Sequence, residues 1–340
     1  MLDKLSFLSW KDGLDDKKAE APKTQSLKHA RDCYKSATRQ LKPACEAKLL
    51  WLDALARQHG SCFRVVHLVN DSRLLVHLGR ASALENVGIC TDRTTGLPWI
   101  PGTAVKGALS TWAYWEQLTA GESPNRGTHP TARQVFGSDD EKNPQAGEVT
   151  FVGGFPHQPP IVELDILTPH PEEGRGRVVP NVFLALTKDT IWHFPLLTRS
   201  GADTASLLNA AADWLEQCLC QTGLGAKTAA GYGMFRLPTP SELEQVRLDD
   251  EHRQMGRRAL EQQAEADRQL AGMSPEEQAY QKFLLTQPDW TACARDIATK
   301  QEPDRSWILR YFRTDGKGLL KNWTNDKGKK RIEALRKAGL

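Results

Sequence analysis

The chain has 340 residues, of which 39% are hydrophobic and 26% are charged, and its formal net charge is +3. These values are typical of a globular protein and exclude collagen-like and strongly charged disordered chains. No apolar run reaches the ~20 residues of a membrane span, and the N-terminus lacks the apolar stretch of a signal peptide. We therefore expect a cytoplasmic protein without membrane contacts.

Seven cysteines are scattered along the chain, and only Cys218 and Cys220 lie close together. An odd, scattered set argues against a disulfide framework, and one close pair is too few for a structural zinc site. We expect these two residues to be small core residues of a helix, and we expect no metal or cofactor.

The first part of the chain changes from a helical pattern to a strand pattern. Residues 1–60 are predicted to be mostly helical, with an apolar face over 49–56. Two short β-rich runs follow, at 63–69 and 74–78, around a polar turn at Asn70-Asp71-Ser72.

A long loop over 79–102 leads into the next predicted helix. Thr103 is expected to be its N-cap, and one stripe is expected to carry its apolar side chains, Val105, Ala108, Leu109, Trp112 and Trp115. Residues 119–147 are rich in Gly, Pro, Asn and Asp and are predicted to be a surface insertion.

Strand-like runs dominate the middle of the chain. Strands are predicted at 148–152 and 161–167, and a loop over 169–180 follows them. The runs 182–186 and 191–196 are predicted to form a hairpin across Lys188-Asp189.

A second helix and a last strand complete this pattern. The helix is predicted over 204–221, with its inward face formed by Leu207, Leu208, Ala211, Trp214, Leu215 and Cys218. The last strand is predicted over 232–237. The charged residues 243–270 are helical in pattern, and shorter helices are expected after them.

The order of these elements predicts an α+β fold. It matches a ferredoxin-like βαββαβ core of the kind found in RNA-recognition modules, with long insertions. We predict three regions: a helical N-terminal segment at 1–60, an RNA-binding domain at 61–240, and a charged helical extension with a basic end at 241–340.

A first glycine-lysine element, Pro101-Gly102-Thr103-Ala104-Val105-Lys106-Gly107, opens the helix after the long loop. Free N–H groups and the positive end of the helix dipole favour an anion at such a position, and Lys106 adds a full charge. The element is not a Walker A loop, because the Gly-Lys-Ser/Thr ending is missing. Alone, it is equally consistent with a tight turn and a solvated lysine.

A second element, Gly223-Leu224-Gly225-Ala226-Lys227-Thr228-Ala229-Ala230-Gly231-Tyr232-Gly233, joins the second helix to the last strand. Small residues let backbone amides approach phosphates, and Tyr232 is in a position to stack on a base or to pack in the sheet. A Rossmann site is excluded because the helix precedes the loop. Taken together, the two elements predict RNA binding on one surface.

Candidate catalytic or metal-binding groups are few. Asp165, His157 and His170 lie in one strand-loop region and would allow an acid-base pair, although histidines beside prolines are more typical of loops. Glu163 and Asp165 share one strand face, which suggests either a metal site or, more simply, a solvated pair. The motifs of zinc deaminases and of serine hydrolases are missing.

The C-terminal end is locally basic. Residues 310–340 contain ten Lys/Arg and three Asp/Glu, with Tyr311, Phe312 and Trp323 among them. This pattern fits a nucleic-acid contact surface. It fits equally well the solvated face of a small helical bundle whose core holds Trp307, Ile308, Tyr311 and Phe312.

These segments together resemble the RAMP superfamily of CRISPR effector proteins, and most of all the sixth Cmr subunit of type III-B complexes. The resemblance is carried in order by Gly79, a loop centred on Gly88, Leu97 to Ala108, Phe136-Gly137, Gly147 to Phe151, Asp165 to His170, and Gly223 to Phe235. It covers about half of the chain. The extension after Pro240 falls outside it.

The resemblance implies a non-catalytic subunit of an RNA-guided antiviral effector complex. Such a subunit would cap the backbone of the complex near the 3′ end of a guide RNA, and its partners would be guide RNA, target RNA and other RAMP subunits. The implied RNA-binding residues are Gly102, Thr103, Lys106, Gly107, Gly223, Gly225, Ala226, Lys227, Thr228, Gly231 and Tyr232. Arg175 and Arg177 would belong to a thumb-like hairpin.

One departure from the family bears on catalysis. Slicing subunits of related complexes carry an aspartate in the loop before the Pro-Gly element, where this chain has Cys90, and the nearest acid is Asp92. Two other functions remain as alternatives. One is an endoribonuclease that processes guide precursors, and the other is an assembly adaptor whose C-terminal helices bind protein.

Overall fold

A computed structural model of the chain describes residues 22–76, 88–119, 130–138, 142, 144–168, 180–199 and 204–340. The chain divides into two compact units, Met1–Arg253 and Gln254–Leu340. None of the helices in these ranges is long and apolar enough to cross a membrane.

The first unit combines helices and short strands. Its elements in chain order are α1 (Pro22–His59), β1 (Phe63–Asn70), β2 (Ile100–Pro101), α2 (Gly102–Thr119), α3 (Pro130–Phe136), β3 (Gly137–Ser138), β4 (Gln145–Ala146), β5 (Val149–Phe151), β6 (Gly153–Pro156), β7 (Val162–Leu167), β8 (Asn181–Leu186), β9 (Ile191–Thr198), α4 (Thr204–Gln221), β10 (Phe235–Arg236) and the start of α5 (Pro240–Ala271). The α+β class predicted from the sequence is confirmed.

The main sheet has the strand order β10–β1–β9–β6–β2, and β5 also pairs with β9. Every pairing in it is antiparallel. Strands β1 and β9 form its centre, where His67 lies opposite His193 and Val66 lies opposite Phe194. Strands β7 and β8 form a separate two-stranded sheet.

Helices α2 and α4 pack against each other and against the main sheet, while α1 packs against β1 and the β7–β8 pair. Helix α4 has the predicted bounds, and its predicted inward residues are buried, except that Trp214 is only half-buried. The apolar stripe predicted for α2 is wrong at its end, because Trp115 is 60% exposed. Helix α2 also begins at Gly102, so Thr103 lies inside its first turn and not before it.

The hairpin predicted from 182–186 and 191–196 is wrong. Strand β8 pairs with β7, whereas β9 pairs with β1, β5 and β6. The buried side chain of Asn70 explains the separation: its amide donates to Thr187 O at 2.8 Å, and its oxygen accepts from Thr190 N at 3.0 Å. These bonds attach the turn to the end of β1, and β9 then continues along β1.

Several other strand predictions need correction. The run from Leu74 forms no strand beside β1, because Leu74 bridges to Leu186 and Val76 bridges to Ile89; residues 77–87 lie outside the described ranges. The last strand is limited to Phe235–Arg236.

The predicted surface insertion at 119–147 also needs correction. It contains α3, whose Ala132 and Val135 are buried in the described part of the chain. These two apolar residues anchor the segment to the core, so its polar composition was a poor guide to its burial.

The second unit is a bundle of short helices: α6 (Pro275–Leu285), α7 (Trp290–Arg295), α8 (Asp304–Arg313), α9 (Lys317–Asn322) and α10 (Asp326–Lys337). Side chains cap several of them, as Asp289 does for α7 and Asn325 for α10. Its core is formed by Ala294, Ile297, Ile308, Leu309, Phe312 and Leu335. The helical character predicted for 241–340 is confirmed.

Candidate nucleic-acid interface

The first glycine-lysine element lies where β2 passes into α2. A Cβ on Gly102 would come within 2.0 Å of the carbonyl oxygen of Phe151, so only glycine fits at this close approach. Gly107 is different, because a Cβ there would meet nothing within 4 Å. Gly102 therefore has a structural role in joining the helix to β5, and Gly107 is an exposed position.

Lys106 lines a cleft with a volume of about 680 Å³ between α2, α3 and strands β3–β5. Its ammonium group donates a hydrogen bond to the carbonyl oxygen of Phe136 at 3.0 Å. An ammonium group has three donors, so this bond orients the side chain and leaves two N–H groups. Thr103 and Ser110 add hydroxyl groups to the same cleft.

The glycines of the second element are required mainly by backbone crossings. A Cβ on Gly225 would lie 2.2 Å from Leu75 O, and one on Gly233 would lie 2.0 Å from Leu224 O. Both residues also have positive φ, +108° and +70°. Gly231 has φ +86° but open space around it. A Cβ on Gly223 would lie 2.7 Å from Gly233 O.

Many backbone amides of this loop are already bonded within the chain. Ala226 N donates to Leu75 O at 2.8 Å, and Gly233 N donates to Arg73 O at 2.8 Å. The amides of Leu224, Ala230, Gly231 and Tyr232 also donate to carbonyl oxygens. These amides are therefore not available as a phosphate cradle, and the loop offers anions mainly its side chains.

Lys227 and Tyr232 pack against the β7–β8 pair. The ammonium group of Lys227 lies 5.6 Å from the ring centroid of Phe183, and the ring of Tyr232 meets that of Phe183 edge-on at 5.9 Å. Lys227 has a left-handed backbone conformation, and Thr228 begins the short 3₁₀ helix that follows it.

The hydroxyl of Tyr232 donates to Asp165 Oδ2 at 2.5 Å, and Arg73 lies 2.9 Å from the same oxygen. Burial, together with the neighbouring carboxylate, raises the pKa of Tyr232 to about 12. These residues line a second cleft of about 480 Å³, to which Lys188 and Glu163 also contribute. Asp165 is thus neutralised by Arg73 and is not paired with a histidine.

The structure does not bring the two elements into one cleft. The Lys106 cleft and the cleft beside Tyr232 share no lining residue. They also belong to different edges of the main sheet, because α2 follows the edge strand β2 and the second element precedes the edge strand β10. Arg175, Arg177 and His170 lie outside the described residues.

The acid nearest the expected slicing position serves a turn. Asp92 Oδ1 accepts hydrogen bonds from Thr94 N at 2.9 Å, Thr94 Oγ1 at 2.5 Å and Thr95 N at 3.0 Å. These bonds, the hydroxyl bond first, lower the pKa of Asp92 to about 2. Cys90 beside it is buried, and burial raises the pKa of its thiol. The carboxylate is a poor general base in this arrangement.

A cluster of histidines that the sequence did not reveal lies between the main sheet and α5. His157 Nδ1 and His193 Nε2 are 3.0 Å apart, and His157 Nε2 lies 2.9 Å from Asp249 Oδ2. His67 meets His193 edge-on at 4.8 Å. Among the described residues no group of three His, Cys, Asp or Glu side chains is arranged to hold a metal ion. The cross-strand pairing of β1 with β9, which creates this cluster, has no local sequence signal.

Comparison with known proteins supports the resemblance. Residues 71–236 match the RAMP superfamily. The chain is 27% identical over 226 residues to the CRISPR system Cmr subunit Cmr6 of Pyrococcus furiosus, a match that covers 48% of this chain and 64% of that protein. The chain thus spans just under two thirds of the length of this curated relative.

Among solved structures, the chain is similar to a chain of a type III-B Cmr-beta complex bound to cognate target RNA. That match has 18% identity and a TM-score of 0.46, and covers 68% of this chain and 80% of the other. A crystal structure of Cmr6 from Pyrococcus furiosus matches at 24% identity and a TM-score of 0.35, and covers 52% and 99%.

Proposed function

We propose that this chain, whose residues 71–236 match the RAMP superfamily, is a guide-RNA-binding structural subunit of a type III CRISPR effector complex. Its partners are guide RNA, target RNA and other RAMP subunits, and its position is a cap near the 3′ end of the guide. Its place of action is the cytoplasm. The similarity to the Cmr6 subunit supports this proposal.

The oriented lysine in the first cleft is the observation on which the proposal depends. Lys106 is held by Phe136 O at 3.0 Å, at the start of an 18-residue helix. A phosphate in this cleft would meet a full positive charge and the positive end of the helix dipole together. Such contacts bind the backbone of RNA and carry no sequence information, which leaves sequence reading to base pairing.

The order of the strands supports a ferredoxin-like core. Along the chain, the elements of this core follow the order β1–α2–β6–β9–α4–β10. In the sheet, its four strands lie in the order β10–β1–β9–β6, and neighbouring strands are antiparallel. A βαββαβ chain that folds with its fourth strand beside its first has this arrangement. In this core, the second glycine-lysine element and the first lie at opposite ends of the sheet, so a bound RNA strand would cross the sheet to reach both.

The same chain is proposed to hold RNA without cutting it. Asp92 is committed to a turn and Asp165 to Arg73, while His157 is paired with Asp249. Each of the acids and histidines considered for catalysis in the described residues thus has a structural partner. Incubation of the protein alone with guide-precursor RNA should leave the RNA intact.

The proposal is tested by replacing Lys106 and Lys227 with glutamine and measuring binding of guide RNA over a range of salt concentrations. Each lost phosphate contact on single-stranded RNA should lower the salt slope of log K by about 0.7. Loss of one charged hydrogen bond, about 1.5 kcal/mol, should weaken binding about tenfold.

The matched control is Lys35→Gln, which removes the same charge from an exposed position on α1. The control should leave the slope unchanged. If the Lys106 and Lys227 variants bind guide RNA with the parent slope and affinity, these clefts do not hold the guide and the proposal is wrong. Retention of guide RNA by the co-purified complex is the second measurement.

A further inference from the structure

The aromatic side chains at the basic C-terminal end of the chain pack in the core of the second unit. Phe312 is 1% exposed, and Tyr311 is stacked on Trp290 with ring centroids 3.5 Å apart and planes at 5°. Trp323 lies 5.6 Å from Phe312, and Arg331 covers it at 5.5 Å. These rings therefore stabilise the bundle and are not offered as stacking platforms for bases.

Part of the positive charge is also engaged. Arg310 pairs with Glu277 at 2.6 Å, and Lys337 pairs with Glu333 at 2.8 Å. Arg313 donates to the carbonyl oxygen of Gly339. Six further exposed cations form no ion pair with any described residue: Lys317, Lys321, Lys327, Lys329, Lys330 and Arg336. Residues 317–337 contain eight Lys/Arg and two Asp/Glu, so the segment carries a concentrated positive charge.

Helix α10 arranges part of this charge along one side. Gly328 and Leu335 are buried on one side of the helix. The helical period places Lys329 and Arg336 together on a flank about 100° from them, and it places Lys330 on the side away from them. A Cβ on Gly328 would lie 2.6 Å from the side chain of Trp323, so this glycine lets α10 pack closely and fixes which side faces outward. Lys329 and Arg336 are seven residues apart, about 10 Å along the axis.

From these observations we infer that residues 317–337, the basic segment, form a second RNA-binding surface that contacts only the phosphate backbone. A span of about 10 Å corresponds to about three phosphates at ~3.4 Å per step along a strand. Because no aromatic ring is exposed for stacking in the described part of this segment, its contribution is independent of base identity and falls steeply with salt. The choice of RNA as the polyanion rests on the proposed function.

The test uses the full chain and two single-stranded RNA probes of equal length, oligouridylate and oligoadenylate, which differ in the identity of their bases. The triple variant K329Q/K330Q/R336Q should lower the salt slope of log K by about 2, at ~0.7 per phosphate contact. The loss of affinity should be equal for the two probes. In the opposite direction, Glu333→Gln removes an acid, releases Lys337 and should strengthen binding and steepen the slope.

The matched control is R258Q/K282Q/K300Q, which removes the same charge from three exposed positions of the same unit outside the basic segment. If this control weakens binding as much as the triple variant, only net charge matters and the inference is overturned. It is also overturned if the triple variant keeps the parent slope but loses co-purifying subunits, because the surface would then bind protein. A DNA probe of equal length that alone responds to the triple variant would overturn the choice of RNA.

The two RNA-binding proposals fail separately. The Lys106 and Lys227 variants test the first unit, and the triple variant tests the second. The two sets of variants share no residue, so each is measured separately and then in combination. If only the triple variant lowers the salt slope of log K, this inference is retained and the proposal that the two clefts hold guide RNA is rejected.

Discussion

Acidification should destabilise the first unit through the buried histidine cluster. Burial lowers the pKa of His67 to about 4, and it also lowers the pKa of His157 and of His193. These rings are neutral in the folded protein near neutral pH. The unfolded chain exposes them and binds protons at their ordinary pKa, near 6.5.

The direction of this pH effect follows from the number of protons that the folded and unfolded states bind. Below about pH 6.5 the unfolded state binds more protons than the folded state, so the free energy of unfolding falls as the pH falls. For His67 alone, a pKa of about 4 against about 6.5 gives a loss of about 2 kcal/mol between about pH 7.5 and about pH 5. His157 and His193 add to this loss in the same direction.

The measurement is urea denaturation across this pH range, with hydrogen exchange of the β1 and β9 amides followed by mass spectrometry. The variant His67→Gln should reduce the pH slope by about one proton, or about 1.4 kcal/mol per pH unit. The control is His29→Gln, which removes an exposed histidine of α1 outside the cluster. If the free energy of unfolding of the His67→Gln variant depends on pH as steeply as that of the parent protein, the reasoning is refuted, whatever the stability of the variant.

Two further predictions concern the second glycine-lysine element and the start of α5. Gly225→Ala should lower the free energy of unfolding by about 2–3 kcal/mol, because its Cβ would meet Leu75 O at 2.2 Å with φ at +108°. A Cβ on Gly231 would meet nothing within 4 Å, so Gly231→Ala should lower the free energy of unfolding by only about 1 kcal/mol. If urea denaturation gives equal losses for the two variants, the close backbone approach at Gly225 is not the cause of its loss. Glu242 bonds Arg236 twice at 2.8 Å, and this pairing lowers the pKa of Glu242 to about 2. Glu242→Gln should therefore remove about 1 kcal/mol at neutral pH and little near pH 2, measured by thermal unfolding, and an equal loss at both pH values would exclude this ion pair as the cause.

The sequence was most informative for helices, because the spacing of apolar residues along one helix face predicts where the helix begins and ends. Helix α4 has its predicted bounds because its apolar residues recur with the helical period and its neighbours are polar. The charged stretch after Pro240 was also predicted to be helical, and α5 confirms it. These patterns depend on residues within a few turns of each other.

The sequence did not predict which strands pair with β8 and β9. β8 and β9 are neighbours in the chain, yet the buried Asn70 directs β9 to β1. The short strand β6, Gly-Gly-Phe-Pro, has no strand pattern, and its glycines are needed because Ile100 and Phe194 pass close to it. Such requirements come from residues distant in sequence.

The roles of candidate site residues show the same division. Sequence alone determined that glycine-lysine elements stand at the start of α2 and before β10, and that residues 310–340 are locally basic. The tertiary structure decided that Lys106 is oriented into a cleft, that many loop amides after Gly223 are already bonded, and that the aromatic residues near the C-terminus are core. The physical reason is that a residue's chemistry is local, whereas its exposure and free hydrogen-bonding capacity depend on which distant segments pack against it.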